Sequence, residues 1–261
     1  MENVFTRKLE NWVPLSDADQ ASLEAISGNV EIVERNQHLI REGDDPHSVF
    51  LLIEGWAFRY KVLPDGKRQI VAFLLPGDLC DVHIFILDQM DHGIAMLSRG
   101  KVVRIPRETI LQVIEERPAI SRALWWATLV DEAVLREWLV NIGGRNAFAR
   151  TAHLLCELYV RMENVSLVSG QAMHLPLTQI DLAEALGLTP VHVNRMLKRL
   201  RSEGLVSFKS QAFEIHDIEG LKASAGFSPG YLHGQKARSS IFGGPGHPAI
   251  DAHRALAEGA H

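Results

Sequence analysis

Between Val30 and Ile105 the apolar residues come in short runs broken by turn residues: NVEIVERNQHLIREGDDP, SVFLLIEGWAFRYKVLPDGKRQIVAFLLPGD and AMLSRGKVVRIP. Runs of this length, rich in Val, Ile, Leu and Phe, predict strands. Asp65-Gly66 between two such runs predicts a hairpin, and Gly43-Asp44 and Gly77-Asp78 mark further corners. Many short strands at regular spacing predict a small sandwich or jelly-roll barrel, assigned to residues 1–117.

After Pro106 the periodicity changes. Ala119 to Ile142 contains neither Gly nor Pro, and Ile120, Leu124, Ala127, Val130, Val134, Trp138 and Ile142 recur at steps of three and four. A second stripe holds Trp125, Trp126, Leu129, Ala133 and Leu139. A helix over 118–142 that is apolar on more than one side needs cover from two directions. The barrel supplies one, and the same helix of a second copy is the simplest source of the other, since a two-fold contact lets one stripe complete itself. The stripe from Ile120 through Leu124, Ala127, Val130 and Val134 to Trp138 is assigned to that homodimer contact. Gly143-Gly144 then ends the helix and is expected to act as a hinge.

A third domain is assigned to residues 145–222. RNAFARTAHLLCELYVRM is an amphipathic helix, and NVSLVSGQAMHLPL returns as loop and short strand. In LTQIDLAEALGLTPVHVNRMLKRLRSEGLVSF, Thr178 caps one helix with Asp181 three residues on, and Gly187 stops it. Thr189 caps the next, with Pro190 at its first position, where a missing N–H is harmless. The result is helix, short turn, helix, then a strand pair as a wing. The remainder, 223–261, is rich in Gly, Pro, Ala and Ser and is expected to be partly disordered.

Composition narrows the class. The chain has 261 residues, 46% hydrophobic and 23% charged, with a net charge of -5, as in a globular protein with room for two cores. No apolar run approaches the roughly 20 residues of a membrane span. The start MENVFTRKLENW has no signal-peptide core, so a cytoplasmic location is expected. Two distant cysteines, Cys80 and Cys156, exclude a disulfide framework. Charge is uneven: 15 basic against 22 acidic residues in 1–144, but 8 against 5 in 145–209. A local basic excess is what a domain facing a polyanion requires.

The second helix of the pair carries that excess. With Val193, Leu197 and Leu200 turned inward, Val191, His192, Asn194, Arg195, Lys198 and Arg199 face out. Arg is bidentate to guanine and Asn to adenine in the major groove of double-stranded DNA. Lys198 and Arg199, one turn further on, suit phosphates, while Arg201 packs or solvates.

At these residues the chain resembles the Crp/Fnr superfamily of bacterial transcription regulators. LPLTQIDLAEALGLTPVHVNRMLKRLRSEGLV is similar to its DNA-binding domain, and FLLIEGWAFRYKVLPDGKRQIVAFLLPGD to its barrel. The resemblance implies an α+β chain: an N-terminal β jelly-roll of the cyclic-nucleotide-binding type, a long dimerisation helix and a C-terminal winged helix-turn-helix. It also implies a homodimer on an inverted-repeat operator, RNA polymerase as a partner, and no enzymatic activity. Many members carry a Glu, reading a cytosine, where this chain has Val191, which suits a thymine methyl instead.

The sensor end departs from the family's templates. No Arg lies between Gly77 and Met96 to neutralise a cyclic phosphate, so a response to cyclic AMP is not expected. No cysteine precedes Cys80, which excludes the N-terminal iron–sulfur cluster of the oxygen-sensing branch. Cys80, His83 and His92 cluster near the stretch from which haem-binding members take their ligands. No cofactor is assigned. Haem, another metal, a Cys80 redox switch, an organic ligand in the barrel and a purely structural role all remain open. Two readings of other classes stand beside these: a cupin-type metalloenzyme, for which His83 lacks a second His two residues away, and a protein-binding module without DNA binding, against which Asn194, Arg195 and Lys198 speak.

Overall fold

The computed structural model describes residues 3–82, 88–209 and 211–234. Two helices, α1 (Val4–Glu10) and α2 (Asp17–Ile26), precede the strands. The sequence reading placed no helix there, although Ser16 and Asp19 form a capping box whose spacing announces α2.

The strands are β1 (Val30–Val33), β2 (His38–Ile40), β3 (Ser48–Glu54), β4 (Ala57–Val62), β5 (Arg68–Leu74), β6 (Leu79–Cys80), β7 (Gly93–Met96) and β8 (Gly100–Pro106). They form two antiparallel sheets, β1-β8-β3-β6 and β2-β7-β4-β5. Pairs such as Val49↔Ile105 and Leu51↔Val103 align residues that are all buried, so the alternation of side chains fixes the register. The hairpin at Asp65-Gly66 joins β4 to β5 as expected.

Helix α3 (Arg107–Glu116) leads into α4 (Pro118–Gly144), which runs through both glycines, two residues beyond the expected end. The stripe assigned to the dimer contact is not at the surface. Ile120, Leu124, Val130, Val134 and Trp138 are buried within the chain itself and Ala127 is half-buried. They pack against α1, α3 and the barrel; Trp138, for one, lies edge-on to Phe73 with ring centroids 5.8 Å apart. The other side of α4 is exposed, through Trp125, Leu129, Leu135, Leu139, Val140 and Ile142. Two apolar stripes are equivalent in sequence; only the packing decides which one the chain covers itself.

The third domain comprises α5 (Ala147–Glu163), β9 (Ala172–His174), α6 (Gln179–Leu186), α7 (Pro190–Ser202), β10 (Val206–Lys209), β11 (Ala212–Ile215) and α8 (Ile218–Ala225). The boundary expected at 222 falls inside α8, which Asp217 caps and Gly226 ends. Residues 226–234 continue as a docked segment with a 3-10 turn, Pro229–Leu232. Phe227 and Leu232 are buried, Tyr231 donates a hydrogen bond to Glu157 (2.9 Å), and the carbonyl of His233 accepts one from the Trp12 indole (3.1 Å). This part of the tail is held by aromatic anchors that its Gly- and Ser-rich composition conceals. Among the described residues no helix is long and apolar enough to cross a membrane.

Candidate nucleic-acid interface

The pair α6–α7 is built by local chemistry. Thr178 and Asp181 form a reciprocal capping box: the Asp181 N–H donates to Thr178 Oγ1 (3.1 Å) and the Thr178 N–H to Asp181 Oδ2 (2.9 Å). Gly187 ends α6 with φ 61°, the left-handed conformation that favours glycine, and the Leu188 N–H closes onto the Ala183 carbonyl. Thr189 accepts from the His192 N–H (3.2 Å) and Pro190 occupies the first turn of α7.

Val193, Leu197 and Leu200 are buried beneath α7, as the periodicity predicts. The opposite side presents Val191, 78% exposed, together with exposed Arg195 and Lys198. Neither Arg195 nor Lys198 makes a hydrogen bond or ion pair among the described residues. His192 is half-buried, and Asn194 donates to Gln179 Oε1 (3.1 Å). Gln179, the exposed first residue of α6, thus shares this surface. The sequence reading passed over it, although a polar residue directly after the Thr178 cap was the available signal.

Arg199 is less free than expected. Its guanidinium lies over the Phe148 ring (3.9 Å) and pairs with Glu203 (2.7 Å). Arg201 packs, donating to the Leu197 carbonyl (3.3 Å) above Phe208. The wing, β10 and β11 with β9 on its far edge, follows α7 directly.

The barrel touches this domain through α6. Arg68, at the start of β5, donates to Glu184 on α6 (2.7 Å), and Arg35 reaches Asp181 (3.5 Å). Neither pair is visible in the sequence, since more than a hundred residues separate the partners.

Residues 30–117 match the family model described as a cyclic nucleotide-binding domain, and residues 149–224 the one described as a Crp-like helix-turn-helix domain. The chain is 28% identical over 219 residues to the transcriptional activatory protein AadR of Rhodopseudomonas palustris, covering 81% of this chain and 87% of that protein. It is also 28% identical over 184 residues to the nitrogen fixation regulation protein FixK of Bradyrhizobium diazoefficiens, covering 70% and 76%. The chain belongs to the Crp/Fnr family. The solved structure of FixK2 from Bradyrhizobium japonicum shares its fold, with TM-score 0.69 and 23% identity over 77% of this chain and 98% of that one. As a Crp/Fnr-type transcription regulator it carries a helix-turn-helix for DNA, and relatives named as regulators leave the cupin-type enzyme reading without support.

At the sensor end of this Crp/Fnr chain, Cys80 is fully buried, and burial pushes its thiol up to about 12. A redox switch needs an accessible thiolate, and this burial speaks against that role for Cys80. His83 lies outside the described residues. His92 has a structural employment: its ring nitrogens reach Asp81 (3.1 Å) and Asp91 (2.6 Å). Asp81 also binds Arg59, whose guanidinium extends to Asp131 on α4 (3.1 Å). Burial opposes charge on His92, but the two carboxylates outweigh it and hold its pKa above the ordinary 6.5.

A group whose pKa is raised on folding stabilises the fold fully below its unfolded value, and the contribution is lost as pH rises through the folded value. His92→Gln is therefore expected to lower the melting temperature most in mildly acidic buffer, with the gap to wild type closing as pH rises above the ordinary histidine range. A gap independent of pH removes this role from His92.

Proposed function

We propose that this regulator acts as a homodimer in which each α7 reads one half of an inverted repeat in the major groove. The observation that carries the reading is the outward side of α7, where Arg195 and Lys198 find no partner among the described residues and stand beside exposed Val191. Arg195 and Asn194 contact base edges, Val191 meets a thymine methyl, and Lys198 holds a phosphate. His192 sits at the edge of the same contact. Thr178 and Thr189 bring the N-termini of α6 and α7 to the DNA backbone, where free N–H groups and the helix dipole favour phosphate. Arg199 joins them only by leaving Glu203, a surface pair of small intrinsic worth.

The dimer contact belongs to the exposed ridge of α4, from Trp125 and Leu129 through Leu135 and Leu139 to Val140 and Ile142, in place of the buried stripe. Half-sites then lie about one helical turn apart, roughly 34 Å. DNA places the protein in the cytoplasm, and RNA polymerase is the partner that family membership supplies. Cyclic AMP is not the effector, because no arginine lies between Gly77 and Met96 to meet its phosphate.

Selection of binding sites from a random duplex library, followed by competition binding with variants, tests the reading. Arg195→Ala is expected to cost about 1–3 kcal/mol and to relax one base position, whereas Lys198→Ala weakens all sequences about equally and lowers the salt dependence. Added cyclic AMP leaves the affinity unchanged. If Arg195→Ala keeps both affinity and base preference, α7 is not the reading helix.

A further inference from the structure

Arg150, in the first turn of α5, has a position that the DNA-reading surface does not explain. Its guanidinium donates from Nη1 to the Leu186 carbonyl (2.8 Å) and from Nη2 to the carbonyls of Ile142 (2.6 Å) and Arg145 (3.2 Å). Leu186 is the last residue of α6, and Ile142 lies in the last turn of α4. The final carbonyls of a helix have no partner within it and carry its negative dipole end. One cation thus caps two helix C-termini at once. Its own backbone is fixed to α4 as well, since buried Asn141 donates to the Arg150 carbonyl (3.2 Å).

Between Ile142 and Arg145 lie Gly143 and Gly144, and nothing in the packing asks for glycine there. A Cβ at Gly143 would meet no atom within 4 Å, a Cβ at Gly144 only Val140 Cγ1 at 3.9 Å, and neither residue has positive φ. Glycine favours the helix less than alanine does, so the effect of the pair is to soften the junction between α4 and the DNA-binding domain. Arg150 grips the carbonyls on both sides of that soft pair and ties them to α6. Because α6 passes to α7 through the tight Gly187–Thr189 turn, the direction of α7 relative to α4 is carried through this guanidinium.

We infer that Arg150 is a positioning residue that sets the half-site spacing the dimer accepts, by clamping the Gly143-Gly144 hinge to the end of α6. The inference rests on the dimeric reading above: with α4 paired to a second copy, the separation of the two α7 helices is fixed through α4, Arg150 and α6 in series. The core of the domain, with Leu155, Leu182, Leu186 and Leu200 buried, does not rest on Arg150. Loss of the clamp therefore loosens spacing and leaves the domain folded.

The test uses the full chain and duplexes bearing two half-sites selected with the wild-type protein, their spacer varied by one or two base pairs either way, with a single half-site duplex as control. The wild type is expected to prefer one spacer sharply. Arg150→Met, which keeps the stem and removes all donors, reduces that preference about tenfold, the scale set by charged hydrogen bonds, while affinity for the single half-site and the dimer mass stay unchanged. Arg150→Lys, a point donor unable to span several carbonyls, lies in between. Stiffening the hinge with Gly143→Ala and Gly144→Ala in the Arg150→Met background restores part of the preference. Spacing selectivity equal to wild type in Arg150→Met overturns the inference, as does a loss that appears equally on the single half-site. Should Arg150→Met fail to fold, the two alanines in the wild-type background decide: a narrower spacer range supports the clamped hinge, and an unchanged range overturns it. If the wild type itself binds two half-sites no better than one, the dimeric reading fails, and the role of Arg150 fails with it for that separate reason.

Discussion

Leu139→Glu is expected to convert the protein to a monomer at micromolar concentration and to weaken its grip on an inverted repeat by ~30-fold or more, the scale of losing one central interface anchor. Leu139 is 67% exposed and Trp125 69%, so both lie idle in a single chain. Trp125, Leu129, Glu132, Arg136 and Leu139 follow the alternating four- and three-residue steps of a coiled-coil seam. Arg136 and Glu132 pair along it at 3.2 Å. From Trp125 to Ile142 the ridge is about 26 Å long at 1.5 Å per residue, two exposed apolar groups on either side of the Glu132–Arg136 pair, the mix of apolar and charged positions that an association surface carries. A glutamate there leaves the single chain intact, because the position touches water, but places two like charges across a two-fold contact. Light scattering reads the mass, and circular dichroism confirms the fold. A variant that stays dimeric takes the interface off this ridge.

Glu157→Leu is expected to destabilise the fold by about 3–5 kcal/mol, the usual cost of breaking a buried charge network from one side. Glu157 is fully buried on α5 and gathers three elements. It accepts from the Trp138 indole of α4 (3.1 and 3.2 Å) and from the Tyr231 hydroxyl of the C-terminal segment (2.9 Å), and faces Arg161 at 3.5 Å. Burial pushes its carboxyl up, while Arg161 and the two hydrogen bonds draw it back. Leucine fills the volume but leaves an indole N–H, a phenol O–H and part of a guanidinium without partners. A fall in melting temperature of roughly 10 °C follows for a chain of this size. Glu157→Gln, which still accepts one bond, is expected to fall between. A wild-type melting curve for Glu157→Leu would show that the segment from Phe227 to His233 is held without the Glu157 network.

The helix-turn-helix was legible because its determinants are local. Thr178 with Asp181, Gly187, then Thr189 with Pro190 specify two helices and their turn within a dozen residues, and the 3.6-residue period of Val193, Leu197 and Leu200 fixes which side of α7 turns outward. The barrel strands and the Asp65-Gly66 hairpin were legible for the same reason. What the sequence left open depends on residues far apart along the chain. Both stripes of α4 satisfy the helical period, and only the approach of the barrel and α1 selects the one that is buried. Cys80 has the sequence context of a ligand, yet strand pairing with Phe50 sends it into the core. Arg199 meets Phe148, and Arg150 meets Leu186, across loops whose closure no local propensity encodes. Periodicity and capping act within a turn or two of chain and so can be read from it; burial, pairing and the clamp on the hinge arise when separate elements meet, and the tertiary structure alone decides them.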